Sequence, residues 1–390
     1  MLIETKEQEV VGVPFHASAA RPASLVMRAL WTTFRVAFQA SLRLPEPWLS
    51  WLAGRDESLD RLGLSQLDPR ARLHARFVRR FTHVSSADPV EARSPRLVSL
   101  WLLEGKPERM RSCQDYVVPG PGGALRARLY TPHDCHAATP ALIYLHFGGG
   151  VTGDLETCHT ACTIIAKHAN CKVLSVDYRL APEHRFPAAV FDVVAAFKWL
   201  RSKAGTLGID PDRIGVGGDS AGGNLAAAAS LFLREEGGPM PVMQLLLYPV
   251  LEMARRELPE TPFDHCYPLT REEMAWFADL YVGGPKDASD PLCSVLRASS
   301  FVGLPSTVLG LARHDVLFNE GNAYAAHLRA DGVPVAERIF DTLPHAFSAM
   351  SGGLPAARAA LIEIAALTGR ALRTETCAAS GVLRPNSQGV

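Results

Sequence analysis

The sequence lacks an excess of charge of either sign: 40 lysines and arginines stand against 40 aspartates and glutamates in 390 residues. No global field draws such a chain to a phosphate backbone or an anionic lipid surface, which excludes a nucleic-acid binder working by bulk electrostatics. Cysteine is sparse as well. The eight, at positions 113, 135, 158, 162, 171, 266, 293 and 377, form no CxxC pair and are too few for a disulfide-dense scaffold. Cys158 and Cys162 lie one helical turn apart with His159 and His168 nearby, but no second ligand pair follows at zinc spacing, so packed thiols and no metal are expected. Long apolar runs are also missing. The opening stretch MLIETKEQEVVGVPF mixes both signs of charge with a proline, unlike a secretion signal. Residues 25–44 are more apolar, yet Arg28, Arg35 and Arg43 interrupt them. Too charged to span a bilayer, the stretch reads as an amphipathic helix that covers an active site rather than lying on a membrane, since its few arginines make no densely basic face, in a cytoplasmic protein.

What is present is apolar bulk. Hydrophobic residues make up 47% of the chain and charged ones 21%, enough for one large domain or a core with an appended cap and far from a disordered composition. Residues 1–105 read as an N-terminal helical cap segment, with apolar spacing of three and four from about residue 22 and no strand signal. At 114–120 and ALRARLY the texture changes to alternation around Pro121-Gly122-Gly123, a β-hairpin. Strands are then expected at 141–147, 172–178, 213–217, 244–250, 307–312 and 335–340, and helices at 155–169, 188–204, 221–236, 320–330 and 355–372. Several of these strands are apolar on both faces, as in an α/β fold whose mostly parallel sheet of about eight strands is covered on both sides. Residues 106–250 and 291–373 form the two parts of this core. Between them, 251–290 reads as a cap insertion whose helix-like TREEMAWFADLYV opens with a Thr270/Glu273 capping box, and 374–390 as a disordered tail.

The chemistry concentrates in three places. Gly218-Asp219-Ser220-Ala221-Gly222 follows an expected strand and opens an expected helix, the setting of a G-x-S-x-G turn. There a β-carbon at either flanking glycine collides with backbone, and Ser220 is raised above the sheet as a nucleophile. A serine hydroxyl needs a base, and the base an acid that sets its tautomer. Asp315 lies just past the TVLGLA strand and His345 just past VAERIF, in LPHAF; Asp341 is the rival acid, His314 a neighbour acting from outside, and His327 a helix-face residue. The negative charge of a tetrahedral intermediate needs N–H donors, and His146-Phe147-Gly148-Gly149-Gly150 at a strand end offers those of Gly148 and Gly149, with Ala221 after the nucleophile. No GxxxxGK[ST] is present to favour a phosphate loop. Asp177, Arg179, Glu183 and His184 read as a buried ion-pair network, and Asp154 as a helix N-cap.

Together YLHFGGGVTGDLET, DYRLAPEHRFPAA, GDSAGGNLAAA, LLLYPVL, HDVL with EGNAYAAHL, and LPHAF occur in an order that resembles the hormone-sensitive-lipase-like family of α/β-hydrolase esterases over about residues 95–370. The resemblance implies the α/β-hydrolase fold with a helical cap. It also implies a carboxylesterase of lipid metabolism using Ser220, Asp315 and His345, with no cofactor, short to medium acyl esters as substrates and a homodimer through the last strand. Two departures stand out. Phe147 replaces the family's first glycine and Gly150 its bulky residue, which points to a substrate pocket reshaped at Phe147. Ala346 replaces a glycine after the histidine, where one added methyl is expected to change little. An amidase or peptidase would use the same triad, and a non-catalytic small-molecule receptor is the rival from another class.

Overall fold

A computed structural model describes residues 25–54, 67–78, 100–135, 138–254, 264 and 267–374. Beyond Thr374 the expected tail lies outside the described residues, as do the opening stretch through residue 24, Cys266, Cys377, and parts of both cap segments. Eight strands form one sheet: β1 Ser112–Gly120, β2 Gly123–Thr131, β3 Thr139–Leu145, β4 Lys172–Asp177, β5 Ile209–Asp219, β6 Met243–Leu247, β7 Ser306–His314 and β8 Val335–Pro344, in the order β1-β2-β4-β3-β5-β6-β7-β8. The β1–β2 hairpin and the β2–β4 pair are antiparallel, and every pair from β4 through β8 is parallel. The helices of eight or more described residues are α1 Leu25–Ser41, α2 Glu46–Ala53, α3 Pro69–Val78, α4 His159–Ala169, α5 Ala188–Ser202, α6 Ala221–Glu236, α7 Arg271–Tyr281, α8 Phe318–Ala330 and α9 Pro355–Ala371.

Alternation along the strands divides the interior into two cores. On β3, Ala141, Ile143 and Leu145 join the core beneath α5, α6 and α8, whereas Leu142 and Tyr144 join the one beneath α4 and α9. On β6, Leu246 enters the first, and Met243, Leu245 and Leu247 the second. A strand buried on both sides carries apolar residues at every position, so its run looks continuous in the sequence.

Strand register brings the loop residues of interest together. Leu145 is opposite Gly218, Asp219 opposite Leu247, and His314 opposite Pro344. The next residues, His146, Ser220, Tyr248, Asp315 and His345, therefore emerge at the carboxyl ends of neighbouring parallel strands, where ligands bind in open α/β sheets.

Several boundaries differ from those expected. The helix foreseen from residue 155 begins at His159, because Asp154 Oδ1 accepts from the N–H groups of Glu156 and Thr157 at 3.0 and 3.1 Å and closes a turn first. Asp154 thus caps that turn, and Cys158 is the helix N-cap. β3 and β6 stop before Phe147 and Val250, since a buried apolar loop has the same composition as a strand end. β5 starts earlier than residue 213 and β8 ends later than residue 340.

Polar contacts help to dock the N-terminal helices. Arg35 donates to Glu104 O at 2.6 Å and lies 4.5 Å over the Trp101 ring, and Gln39 donates to Leu102 O and Glu104 O. The N–H of Asp68 bonds Thr342 O at 3.0 Å, and His74 on α3 hydrogen-bonds the Tyr267 hydroxyl from the insertion. Arg35, which breaks the apolar run in the sequence, is thus turned toward protein. Among the described residues no helix is long and apolar enough to cross a membrane.

Candidate active site

Ser220 stands between β5 and α6 with φ 55° and ψ −117°, a backbone that non-glycine residues rarely adopt. The close packing around it explains its glycines. A β-carbon on Gly222 would lie 2.0 Å from Leu145 O, and one on Gly218 would lie 2.5 Å from Leu145 O and from the Gly222 carbonyl carbon. The elbow is pinned from β6 as well, because the Ser220 N–H donates to Leu247 O at 2.9 Å.

His345 and Asp315 meet this serine. His345 Nε2 is 3.0 Å from Ser220 Oγ, and Nδ1 is 2.7 Å from Asp315 Oδ2. Asp315 is buried and its other oxygen accepts from the Leu317 N–H at 2.9 Å, so the carboxylate is held at both oxygens. With the proton on Nδ1 donated to Asp315, Nε2 is free to accept from the serine hydroxyl. Asp341 is elsewhere: its carboxylate is exposed and pairs with Arg313 at 3.0 Å. His314 is buried, and burial lowers its pKa. His327 stacks on Phe301 along α8, with ring centroids 5.5 Å apart.

The loop after β3 folds back on itself. Gly148 O accepts from the N–H groups of Val151 and Thr152 at 3.0 and 2.9 Å, and Gly148, Gly149 and Gly150 all have positive φ. His146 stacks on Tyr178 at 4.3 Å, and the Tyr178 hydroxyl donates to His146 O at 2.7 Å. Ala221 opens α6, where first-turn N–H groups have no partner within the helix. Phe147 is buried in the core that also contains Tyr144, Cys158 and Phe347.

Two aromatic residues that the sequence reading passed over press on this loop from α7. A β-carbon on Gly149 would sit 2.1 Å from Phe277 Cδ1, and one on Gly150 would sit 2.7 Å from Tyr281 Cδ2. Tyr281 thus occupies the space that a side chain at position 150 would need, which accounts for glycine where the resembled family carries bulk. The capping box is formed: Thr270 Oγ1 accepts from the Glu273 N–H at 3.2 Å while Glu273 accepts from the Thr270 N–H at 2.9 Å. The signal available in the sequence was the spacing of Met274, Phe277 and Tyr281 along one helical face, all three buried.

Other expectations resolve differently. The polar group in DYRLAPEHRFPAA does not assemble as one network. Arg179 forks onto buried Asp192 of α5 with contacts of 2.8–3.0 Å, Asp177 lies 3.6 Å from Arg126 of β2, and Glu183 and His184 are exposed. The strand end thus pairs Asp177 with the adjacent strand and Arg179 with the following helix. Cys158 donates to Asp219 Oδ1 at 3.5 Å and His159 Nδ1 lies 3.0 Å from the Tyr130 hydroxyl. Burial pushes the thiols of Cys158 and Cys162 up. No group of three or more metal-ligating side chains occurs among the described residues. Ala346 has φ 59° and ψ 27°, so the methyl in place of the family's glycine sits on left-handed backbone, a costly conformation for alanine.

Comparison with known proteins agrees with this architecture. Residues 142–349 match the model of the α/β hydrolase fold family. The chain is 42% identical over 239 residues to the carboxylic ester hydrolase LipN of Mycobacterium tuberculosis, covering 60% of this chain and 63% of LipN. It is 34% identical over 286 residues to an ethyl acetate hydrolase of Pseudomonas putida, covering 72% of this chain and 89% of that protein. The crystal structure of EstE1, a thermostable carboxylesterase cloned from a metagenomic library, superposes with a TM-score of 0.70 at 38% identity, covering 74% of this chain and 99% of EstE1. The chain belongs to the hormone-sensitive-lipase-like family of α/β-hydrolase esterases.

Proposed function

We propose that the protein hydrolyses uncharged carboxylic esters of short to medium acyl chain through an acyl-enzyme on Ser220. The observation that carries this reading is the continuous path from Ser220 Oγ through His345 to Asp315, at 3.0 and 2.7 Å. Ser220 Oγ attacks the ester carbonyl as its proton passes to His345 Nε2, and Asp315 stabilises the imidazolium. The carbonyl oxygen, now negative, takes hydrogen bonds from the N–H groups of Gly148, Gly149 and Ala221, a stabilisation of about 10²–10³ in rate per donor. His345 returns the proton to the alcohol oxygen as the C–O bond breaks. Water, deprotonated by the same histidine, then releases the acid and restores Ser220.

Two observations support short to medium acyl chains in this reading. Phe277 and Tyr281 lean over the glycine loop, and the ethyl acetate hydrolase among the relatives is named for a small ester. The two segments 1–105 and 251–290 act in this reading as one cap, supported by the contact of His74 with Tyr267. β8 lies at the edge of the sheet, open to pairing with a second copy, and a cytoplasmic location completes the proposal.

The test compares wild type with Ser220→Ala on p-nitrophenyl butyrate and on the matched anilide. Ester turnover lost in Ser220→Ala with an unchanged circular dichroism spectrum is the expected result. Retained turnover would overturn the nucleophile, and faster release from the anilide would make the protein an amidase.

A further inference from the structure

Asp219, the residue before the proposed nucleophile, has no part in the reaction as derived above, yet it is buried completely. Its surroundings are built. Oδ2 accepts from the Ser348 hydroxyl at 2.5 Å and from the Tyr248 hydroxyl at 3.1 Å, and Oδ1 faces the Cys158 thiol at 3.5 Å. The Tyr248 and Ser348 oxygens are 2.5 Å apart, and the Ser348 N–H donates back to the Tyr248 oxygen at 3.2 Å. One carboxylate therefore joins the nucleophile turn, the end of β6, the N-terminus of α4 and the segment three residues beyond His345.

Taking the Ser220, His345 and Asp315 reading as premise, we infer that Asp219 is a positioning residue for the reaction: through Ser348 and Tyr248 it holds the His345 loop in register with the nucleophile turn. The Tyr248 ring meets the His345 imidazole edge-on at 4.8 Å, so the phenol whose hydroxyl is tied to Asp219 also backs the catalytic ring. The backbone agrees. Ser220, Tyr248 and Ala346 are non-glycine residues at φ 55°, 35° and 59°, and all three flank this network. Such conformations persist only where surrounding contacts over-determine them. A buried carboxylate is expensive unless its lone pairs are met, and here hydroxyl and thiol donors meet them in place of a cation. Burial raises the Asp219 pKa, opposed by the bonds from Ser348, Tyr248 and Cys158 and by the field of His146. Tyr144, Tyr178 and Cys162 also feel the field of Asp219, and burial, the larger cause, holds each of them toward its neutral form.

The inference predicts a defect in turnover, not in binding. In Ser348→Ala and in Tyr248→Phe, kcat should fall about tenfold with KM changed by less than about twofold, the signature of an interaction expressed in the transition state. The double variant should fall little further than the worse single one, because both act through the same carboxylate. The low-field proton resonance of His345 Nδ1–H should broaden in both. Asp219→Asn, which keeps one acceptor oxygen, should retain more kcat than Asp219→Ala; if the alanine variant does not fold, the hydroxyl deletions carry the test. Folded Ser348→Ala and Tyr248→Phe proteins with wild-type kcat, or losses confined to KM, or losses that multiply in the double variant, would overturn the role of Asp219. Ser220→Ala in the same series separates the two readings. If it is inactive while Ser348→Ala turns over normally, only the positioning role fails, whereas an active Ser220→Ala defeats the premise itself.

Discussion

Replacing Gly149 by alanine tests how α7 and the glycine loop share space. Gly149 has φ +66°, where a β-carbon costs about 1–2 kcal/mol on backbone grounds alone. The new methyl would also lie 2.1 Å from Phe277 Cδ1. Against a normal carbon–carbon contact of about 3.6 Å, the ring or the loop must move by about 1.5 Å. A shift of that size carries the Gly149 N–H out of hydrogen-bond range of an oxyanion. The loss should approach that of one donor, about 10²–10³ in kcat or roughly 2.7–4 kcal/mol. A partner variant isolates the cause. In Phe277→Ala/Gly149→Ala the methyl gains room, so kcat should recover by about tenfold or more relative to Gly149→Ala, leaving the backbone penalty behind. Gly148→Ala is the control, because its β-carbon would meet Thr152 O, a backbone atom, at 2.1 Å, and removing Phe277 should not help it. Steady-state kinetics on a p-nitrophenyl ester, with thermal melts, gives the cycle from six proteins: wild type, Phe277→Ala, and Gly149→Ala and Gly148→Ala each with and without Phe277→Ala. Equal losses in Gly149→Ala with and without Phe277, or a Gly149→Ala enzyme at wild-type kcat, would refute the reasoning.

Three further outcomes follow from particular contacts. Asp192→Ala should cost about 3–5 kcal/mol in denaturant unfolding, because it strands the Arg179 guanidinium that now forks onto a fully buried carboxylate, and a change under 1 kcal/mol would contradict that. Phe147→Gly should lose about 3–5 kcal/mol of stability from the core it occupies. If Phe147 also shapes the pocket, the acyl-length profile of that variant will move toward longer chains, and a superimposable profile would restrict the residue to packing. Thiol labelling of the folded protein at pH 8 should modify exposed Cys113 well before Cys171, whose thiol burial pushes up to about 12, leaving a thiolate fraction on the order of 10⁻⁴. Peptide mapping by mass spectrometry reads the order, and early loss of Cys171 would mean that its segment opens.

Much of the architecture was legible because it is periodic. Alternating apolar runs and helix-length segments name an α/β sheet covered on both faces, and β3 through β8 lie where such runs occur. The mechanical argument for Gly218 and Gly222 needed only the knowledge that a strand leads into a helix there, and their close contacts with Leu145 are what that argument requires. Boundaries were less legible. Periodicity cannot separate a buried loop from a strand end, so β3 and β6 end before their apolar runs do. The charged cluster after β4 misled for a related reason: Asp177 and Arg179 are neighbours in sequence but face different partners, and Glu183 and His184 are exposed.

By itself the sequence determined the order of strands and helices, the strained turn at Ser220, and which acid and histidine follow late strands in the order an α/β-hydrolase uses. Those depend on residues within a few positions of one another, where backbone geometry and spacing act directly. Only the tertiary structure decided that Ser348, 129 residues from Asp219, shares a carboxylate with Tyr248, and that Phe277 and Tyr281 occupy the space beside Gly149 and Gly150. Such contacts depend on how strand register and helix packing superpose distant segments, and no local pattern of charge or hydropathy encodes that distance.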